Sequence, residues 1–326
     1  MNISWLTSLI RRTTESARHT VQLLQPSAVD CLFCHKPFPM GSRPSSHHAQ
    51  HAAINLTQLC PSCQAGIPWI RHIMCKVCGR GIVCSDCTRR KHAYITCNRS
   101  SVFYNPTMKN LLALYKYRGN EDLEPLLAAM MLPALRELTQ HVQLLGQLRQ
   151  SRLTDADLSA SHSHSIAPRP HSPEQPNKLG RSMNPLLRSP APSPFHAITY
   201  VPVSPYREEE RGFNQAERLA ARLSTASGVP LMNLLERSRH TEKQSFKSRS
   251  ERIRDMRGLF KARQIDLEQW LSSPSSQPSE PNLSQLRILL IDDIYTTGST
   301  VNACAEALHQ AAGLVKLEVY SLTWAR

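Results

Sequence analysis

The chain has 326 residues, 40% of them hydrophobic and 20% charged, which predicts about two domains rather than one small module. No apolar run approaches the ~20 residues that a membrane span needs. The apolar patch over residues 3–10 lacks the basic flank and small-residue cleavage site of a secretory leader, so an integral membrane protein is excluded and a cytoplasmic location is expected. Thirty-nine Lys and Arg against 25 Asp and Glu leave a formal charge of +14, which favours polyanionic partners and says nothing about fold.

After an N-terminal segment, residues 1–28, cysteine dominates. Eight of the ten cysteines form four C-x-x-C pairs: Cys31/Cys34, Cys60/Cys63, Cys75/Cys78 and Cys84/Cys87. Without an export signal a disulfide framework is not expected. Two such knuckles supply the four thiolates of a closed tetrahedral zinc site, so four knuckles predict two structural Zn²⁺ ions in a double zinc ribbon over residues 29–92. Chain order pairs 31/34 with 60/63 and 75/78 with 84/87, and an interleaved cross-brace stays open on spacing alone. Gly79 suits a knuckle turn that needs a positive φ. His35, His47, His48 and His51 are read as loop residues.

Residues 71–118 carry ten Lys or Arg against the single acid Asp86, with Tyr94, Phe103 and Tyr104 interleaved. Cations with aromatics are what a stacking platform for single-stranded nucleic acid requires; the alternative is that these rings pack a domain joint. Met108, Leu111, Leu112 and Tyr115 then recur at helical spacing. A second helix is expected from about Asp122, with Leu123, Leu126, Leu127, Met130 and Met131 on its apolar side and Pro133 kinking or ending it. In 151–196, eight prolines and nine serines fill 17 of 46 positions, a composition that cannot bury enough surface to offset chain entropy and predicts a disordered insertion. Residues 271–285, nine of fifteen Ser or Pro, read as a smaller one.

Between and after these insertions the pattern is α/β. A short strand is expected over 198–203, then a helix with Phe213, Ala216, Leu219, Ala220 and Leu223 on one face. The apolar run 286–291 reads as a strand covered on both faces. Val301, Cys304, Ala305 and Leu308 follow as a helix stopping at Gly313, with Cys304 in the core, and 317–324 reads as a last strand. Strand, helix and strand with a parallel crossover is the economical topology.

The run Ile288-Leu-Leu-Ile-Asp292-Asp293-Ile-Tyr-Thr296-Thr297-Gly298-Ser299-Thr300 carries the chemistry. It brings two adjacent acids to a strand's C-terminal end, ahead of a hydroxyl-rich turn and a helix start, the edge where open α/β sheets bind ligands. The amides and hydroxyls of Thr296, Thr297, Ser299 and Thr300 can ring a phosphate, with Gly298 allowing close approach. Asp292 and Asp293 want hydroxyls or a metal. Adjacent strand residues face opposite ways, so the two acids should not do the same job.

This run resembles the phosphoribosyl pyrophosphate (PRPP) motif of type I phosphoribosyltransferases. The resemblance implies that the acid pair holds ribose hydroxyls, with Mg²⁺ nearby, while the loop holds the 5′-phosphate. Tyr295 replaces the aliphatic residue usual there. Val201-Pro-Val-Ser-Pro205, Arg211-Gly-Phe-Asn-Gln215, Thr241-x-x-Gln244, Glu251-Arg252, Gly258-Leu-Phe260 and Leu114-Tyr-Lys116-Tyr-Arg-Gly119 are together similar to the ComF family, whose members join a cysteine-rich zinc module to a phosphoribosyltransferase-like domain. Ser204 interrupts the usual Pro-Val-Pro-aliphatic run and Asp255 stands where Asn is common. The resemblance covers about 29–326 apart from the insertions. It implies a phosphoribosyltransferase-like parallel sheet over 93–326. Asp292, Asp293, Lys116 and Arg211 fall at its reacting end, and Arg252 is placed to close over leaving pyrophosphate. No general base can be named for an acceptor.

Two functions compete. One is a protein of DNA uptake in natural transformation, as the resemblance implies, binding single-stranded DNA through the basic zinc module, a 5′-phosphoribosyl group or PRPP through 288–300, and other competence proteins. The other is a phosphoribosyltransferase of nucleotide metabolism, with a non-catalytic zinc-ribbon adaptor as a third reading. A base-specific salvage enzyme needs neither the basic arm nor the double ribbon.

Overall fold

The structure, a computed structural model, describes residues 28–39, 56–82, 84–88, 93–117, 120–160, 193–237, 258–272 and 285–326. Arg89, Arg90, Lys91, His47, His48, His51, Gly119, Thr241, Gln244, Arg252, Asp255 and most of both expected insertions lie outside these residues.

The cysteine-rich part contains the antiparallel pair β1 (Ala28–Asp30) and β2 (Pro37–Pro39) and the short helices α1 (Pro61–Ala65) and α2 (Ser85–Thr88). There follow β3 (Ile95–Val102), α3 (Pro106–Tyr117), α4 (Leu123–Ala160), β4 (Ala197–Tyr200), α5 (Pro205–Arg211), α6 (Gln215–Ser227), β5 (Leu235–Arg237), β6 (Phe260–Ala262), α7 (Gln264–Leu271), β7 (Leu286–Ile294), α8 (Ser299–Ala312) and β8 (Leu317–Ala325). β3, β8, β7 and β4 form one sheet in that order, every pair parallel. It is the expected phosphoribosyltransferase-like α/β sheet flanked by helices.

Side-chain alternation along β7 builds a core on each face. Leu289 and Ile291 pack with α3, α4 and α6, while Ile288 and Leu290 pack with α7, α8 and the β5–β6 pair. Both faces of the sheet are therefore covered, as an all-parallel sheet requires. The cysteine clusters share these cores: Cys31, Leu56 and Leu59 join the first, and Cys78 and Cys84 the second. Cys97 and Cys304 are buried core residues.

One expectation changes and one element is unforeseen. Pro133 does not end its helix, because α4 runs through it to Ala160, ten residues into the segment read as an insertion. Buried Leu126, Leu127, Met130 and Met131 before the proline and Leu135, Leu138 and Val142 after it form one continuous stripe. Packing of that stripe outweighs the ~3 kcal/mol that an interior proline costs. The unforeseen element is β3 (Ile95–Val102), which has no apolar alternation. Its Asn98, Arg99, Ser100 and Ser101 are buried. Ser321 Oγ donates to Asn98 Oδ1 at 2.8 Å, and the Ser100 and Thr323 hydroxyls meet at 2.6 Å.

Both outer strands are sheltered. On the β3 side, Asn98 N–H donates to the Val77 carbonyl (2.6 Å), Ile70 N–H to Ser101 (3.0 Å) and Phe103 N–H to Pro68 (2.8 Å). On the β4 side, Ile198 N–H donates to Pro230 and Met232 N–H to Ile198, each at 2.8 Å. Open strand edges invite pairing with other chains, so the cysteine-rich segment doubles as an edge cover.

Candidate functional site

The chain-order pairing of the knuckles is the one found. The Sγ atoms of Cys31, Cys34, Cys60 and Cys63 lie within 4.8 Å of one another, as do those of Cys75, Cys78, Cys84 and Cys87. Cys34 and Cys60 Sγ are 3.8 Å apart, matching the ~3.8 Å edge of a tetrahedron with ~2.3 Å zinc–sulfur bonds. The donor sets fit two Zn²⁺ ions, and the ten thiols are unbridged. Burial raises the Cys31 and Cys84 thiols, but backbone amides within each cluster outweigh it and bring both down to about 7, towards the thiolate a metal needs.

The knuckles repeat one local geometry. His35 N–H donates to the Cys31 carbonyl at 2.8 Å and Gly79 N–H to Cys75 at 2.9 Å. Both turning residues are left-handed, with φ of 57° and 70°. At Gly79 a Cβ would lie 2.6 Å from the Asn98 carbonyl oxygen, so this turn requires glycine. His35 adopts the same conformation with its Cβ in place.

The second cluster is joined to the sheet. Arg326 Nη1 donates to the Cys78 carbonyl, Asn98 Nδ2 donates to the same oxygen at 3.3 Å, and Arg99 Nη1 reaches Lys76 O at 3.1 Å. The Arg326 guanidinium also lies over the Tyr295 ring, 5.0 Å from its centroid. Beyond the cluster, Tyr94 N–H donates to Asn302 Oδ1 of α8 (2.8 Å), and His309 of α8 meets the Tyr94 carbonyl at 3.0 Å.

A cavity of about 340 Å³ opens at the C-terminal ends of β4 and β7. These neighbouring strands carry their covering helices on opposite faces, the switch point at which such sheets bind ligands. It brings together four of the predicted residues from distant parts of the chain, Lys116, Arg211, Asp292 and Asp293, with Thr300 from the start of α8. Thr296, Thr297, Gly298 and Ser299 form the turn leading there. Gly298 is left-handed at φ 75° and precedes α8, and the Tyr295 side chain fills the space where a Cβ would stand. The Thr297 and Ser299 hydroxyls are 2.5 Å apart.

The acids occupy unlike surroundings. Asp293 forms an ion pair with Lys116. Asp292 Oδ1 accepts from the Asp293 N–H at 2.9 Å. Burial, and then the Asp293 charge, push the Asp292 carboxyl up to about 8. Arg211 is aimed by its neighbours: Nη1 donates to Gln215 Oε1 at 2.7 Å, and the guanidinium lies 5.2 Å from the centre of the Tyr117 ring. Asn214 caps α6 through Ala216 N–H and Glu217 N–H and donates to the Val201 carbonyl at 3.1 Å, which fastens the loop after β4.

Sequence reasoning missed Arg207 and Arg237 in the cavity wall. Arg207 could have been found from its place inside the dense 201–215 segment, whereas nothing near Arg237 marked it. Burial and then the Arg207 charge pull Arg237 below its ordinary value. Three guanidinium groups and one ammonium thus face two carboxylates, a balance suited to a polyanion carrying hydroxyls.

The fold is a phosphoribosyltransferase-like parallel α/β sheet flanked by helices, joined to two four-cysteine clusters. No family model matches the chain. It is 27% identical over 301 residues to competence protein ComFC of Bacillus subtilis, covering 90% of this chain and 93% of that protein. Over 127 residues, 39% of this chain, it is 31% identical to competence protein F of Haemophilus influenzae and 36% identical to ComFC of Streptococcus pneumoniae, covering 49% and 47% of those proteins. Over most of its length the chain is thus similar to a competence protein of the ComF kind, and over part of it to two more. Among the described residues no helix is long and apolar enough to cross a membrane.

Proposed function

We propose that the chain binds PRPP or a 5′-phosphoribosyl group in the β4–β7 cavity and single-stranded DNA through its basic zinc module, acting in the cytoplasm in DNA uptake with other competence proteins. The observation that carries this reading is the cavity itself. Hydroxyl acceptors Asp292 and Asp293, Thr300 at the end of the 296–300 turn and the cations Lys116, Arg207, Arg211 and Arg237 line one crevice at a switch point. In this reading the turn and the α8 N-terminus hold the 5′-phosphate, the acid pair holds ribose hydroxyls with Mg²⁺, and the cations face the diphosphate. Two Zn²⁺ ions hold residues 29–92 as a double ribbon ahead of a phosphoribosyltransferase-like domain, 93–326. The names of the relatives support the uptake role, and the ten cations of 71–118 support the DNA partner.

Calorimetric titration of PRPP with and without Mg²⁺ tests the reading. Micromolar binding to the wild type that weakens in Asp292→Asn and Asp293→Asn is expected, and binding unchanged in both variants would sink it. Arg207, Arg211 and Arg237 together favour a second reading, pentosyl transfer, since cations there would stabilise departing pyrophosphate. Pyrophosphate release from PRPP across a panel of bases and nucleic acids separates transfer from binding.

A further inference from the structure

An exposed aromatic path leads from the second cysteine cluster to the cavity. Phe103 is 43% exposed and Tyr104 38% exposed. Phe103 packs beside Gly81, which lies between the knuckles of that cluster, its ring 3.3 Å from where a Gly81 Cβ would stand. Tyr104 follows immediately, held by its N–H to the Arg326 carbonyl at 2.8 Å. Val102 and Ile294 both pair with Ala325 of β8, so Tyr104 emerges two strands, roughly 10 Å, from the end of β7 that carries the acids. Burial, then the charges of Asp293 and Tyr117, raise the Tyr104 hydroxyl above its usual value, consistent with that closeness. Tyr117, 60% exposed, lines the cavity mouth beside Lys116.

We infer that this path delivers the 3′ end of a DNA single strand into the cavity, so that the terminal nucleotide is the cavity's macromolecular ligand. The inference rests on the reading of the cavity as a phosphoribosyl site. Bases stack on exposed aromatics whatever their sequence. Arg71, Lys76, Arg80 and Lys109 lie in the segments carrying the path and match the charge of a phosphate backbone.

The acid pair decides which end enters. A 3′-terminal nucleotide offers a free hydroxyl to Asp292 and Asp293, and its 5′-phosphodiester suits the 296–300 turn. An internal nucleotide, or a 3′-phosphate, has no free hydroxyl for the acid pair and would instead place an anion against the Asp293 carboxylate, which Lys116 already balances. A cavity of about 340 Å³ is of the size that takes a small ligand.

The test measures fluorescence anisotropy of the full chain with zinc bound, using an internally labelled oligonucleotide of ~12 nucleotides, within the span such surfaces cover. Three forms are compared: linear with a 3′-hydroxyl, linear with a 3′-phosphate, and circular. The 3′-hydroxyl form should bind about tenfold more tightly than the other two, near 1.4 kcal/mol. Saturating PRPP should remove that advantage and leave the residual affinity common to all three. Tyr104→Ala should weaken every form, and Tyr104→Leu, which keeps an apolar side chain in place, should weaken them too while melting like the wild type.

Equal affinity for all three forms, unaffected by PRPP, overturns end docking even where PRPP binds on its own. A 3′-hydroxyl preference in a chain that fails to bind PRPP upholds end docking and overturns the phosphoribosyl reading. Full affinity in Tyr104→Leu overturns the aromatic path.

Discussion

Asp292 carries a conflict between folding and binding. Its carboxyl is raised to about 8 by burial and by Asp293, while an unfolded chain releases that proton near pH 4. A group raised on folding contributes stability fully present below the unfolded value and lost as pH rises through the folded one. The unliganded protein should therefore lose stability between about pH 4 and pH 8 through this residue. Asp292→Asn should recover at least about 1 kcal/mol at pH 8, because a tenfold change in proton affinity is worth roughly 1.4 kcal/mol. At pH 8 and above, where Asp292 is substantially ionised, the same variant should weaken PRPP by about 1–3 kcal/mol as a charged hydrogen-bond partner is lost. Denaturant melts at pH 5 and pH 8 with paired titrations check both signs, and a variant less stable than wild type at pH 8 contradicts the account. At Gly298 the argument is steric. Any side chain there would be left-handed and would collide with Tyr295, so Gly298→Ala should cost at least about 1–2 kcal/mol and disturb the turn, read out as a lower melting temperature with weaker PRPP binding.

Among the elements, the N-terminal end of the sheet is held by a buried ionic cluster. Glu318 accepts from Arg287 Nε at 3.1 Å, from Arg149 Nη1 of α4 at 2.8 Å and from the Tyr320 hydroxyl at 3.0 Å. Burial alone would raise Glu318, but Arg149, Tyr320 and Arg287 outweigh it and hold the carboxyl below its usual range. A depressed carboxyl stabilises the fold above its unfolded value and loses that contribution as pH falls through the folded one, so this contribution should fade below about pH 4.5. Glu318→Gln should cost about 3 kcal/mol at pH 7, since it leaves Arg287 buried without its anion, and should flatten the acid limb of a stability–pH curve; an unchanged limb would remove Glu318 from the account. None of this was legible in the sequence, where Arg287 and Glu318 read as ordinary strand residues. β7, α8 and β8 were legible because their apolar periods match two covered faces, as were the knuckles, whose pairing follows chain order. β3 escaped because its polar side chains are buried against Ser321, Thr323 and the third knuckle, a tertiary arrangement that no local period encodes. Arg207 and Arg237 escaped because only the fold carries them to the acids.

Across the whole molecule the cysteine clusters stand in unequal relation to the cavity. The first packs into the core shared with α4, on the sheet face away from α8. The second is tied to the 296–300 turn and its helix twice. Arg326 bridges the Cys78 carbonyl and the Tyr295 ring that lies against Gly298, and Tyr94 grips α8 through Asn302 and His309. Metal analysis should return two zinc ions per chain, and their removal should expose the β3 edge and promote aggregation, since Val77, Pro68 and Ile70 shelter it only while the segment is folded. Single-ligand variants separate the clusters. Cys34→Ser and Cys87→Ser each remove one thiolate from a four-cysteine set, so each should lower zinc content and melting temperature, in line with the ~10–16 kcal/mol apparent contribution of structural zinc in small modules. Only Cys87→Ser should also weaken PRPP, by about 1–3 kcal/mol, the usual size of coupling between sites. Calorimetry at a temperature where both variants remain folded reads this difference. Equal PRPP affinities in the two variants would mean that the Arg326 and Tyr94 contacts hold the second cluster in place without supporting the 296–300 turn.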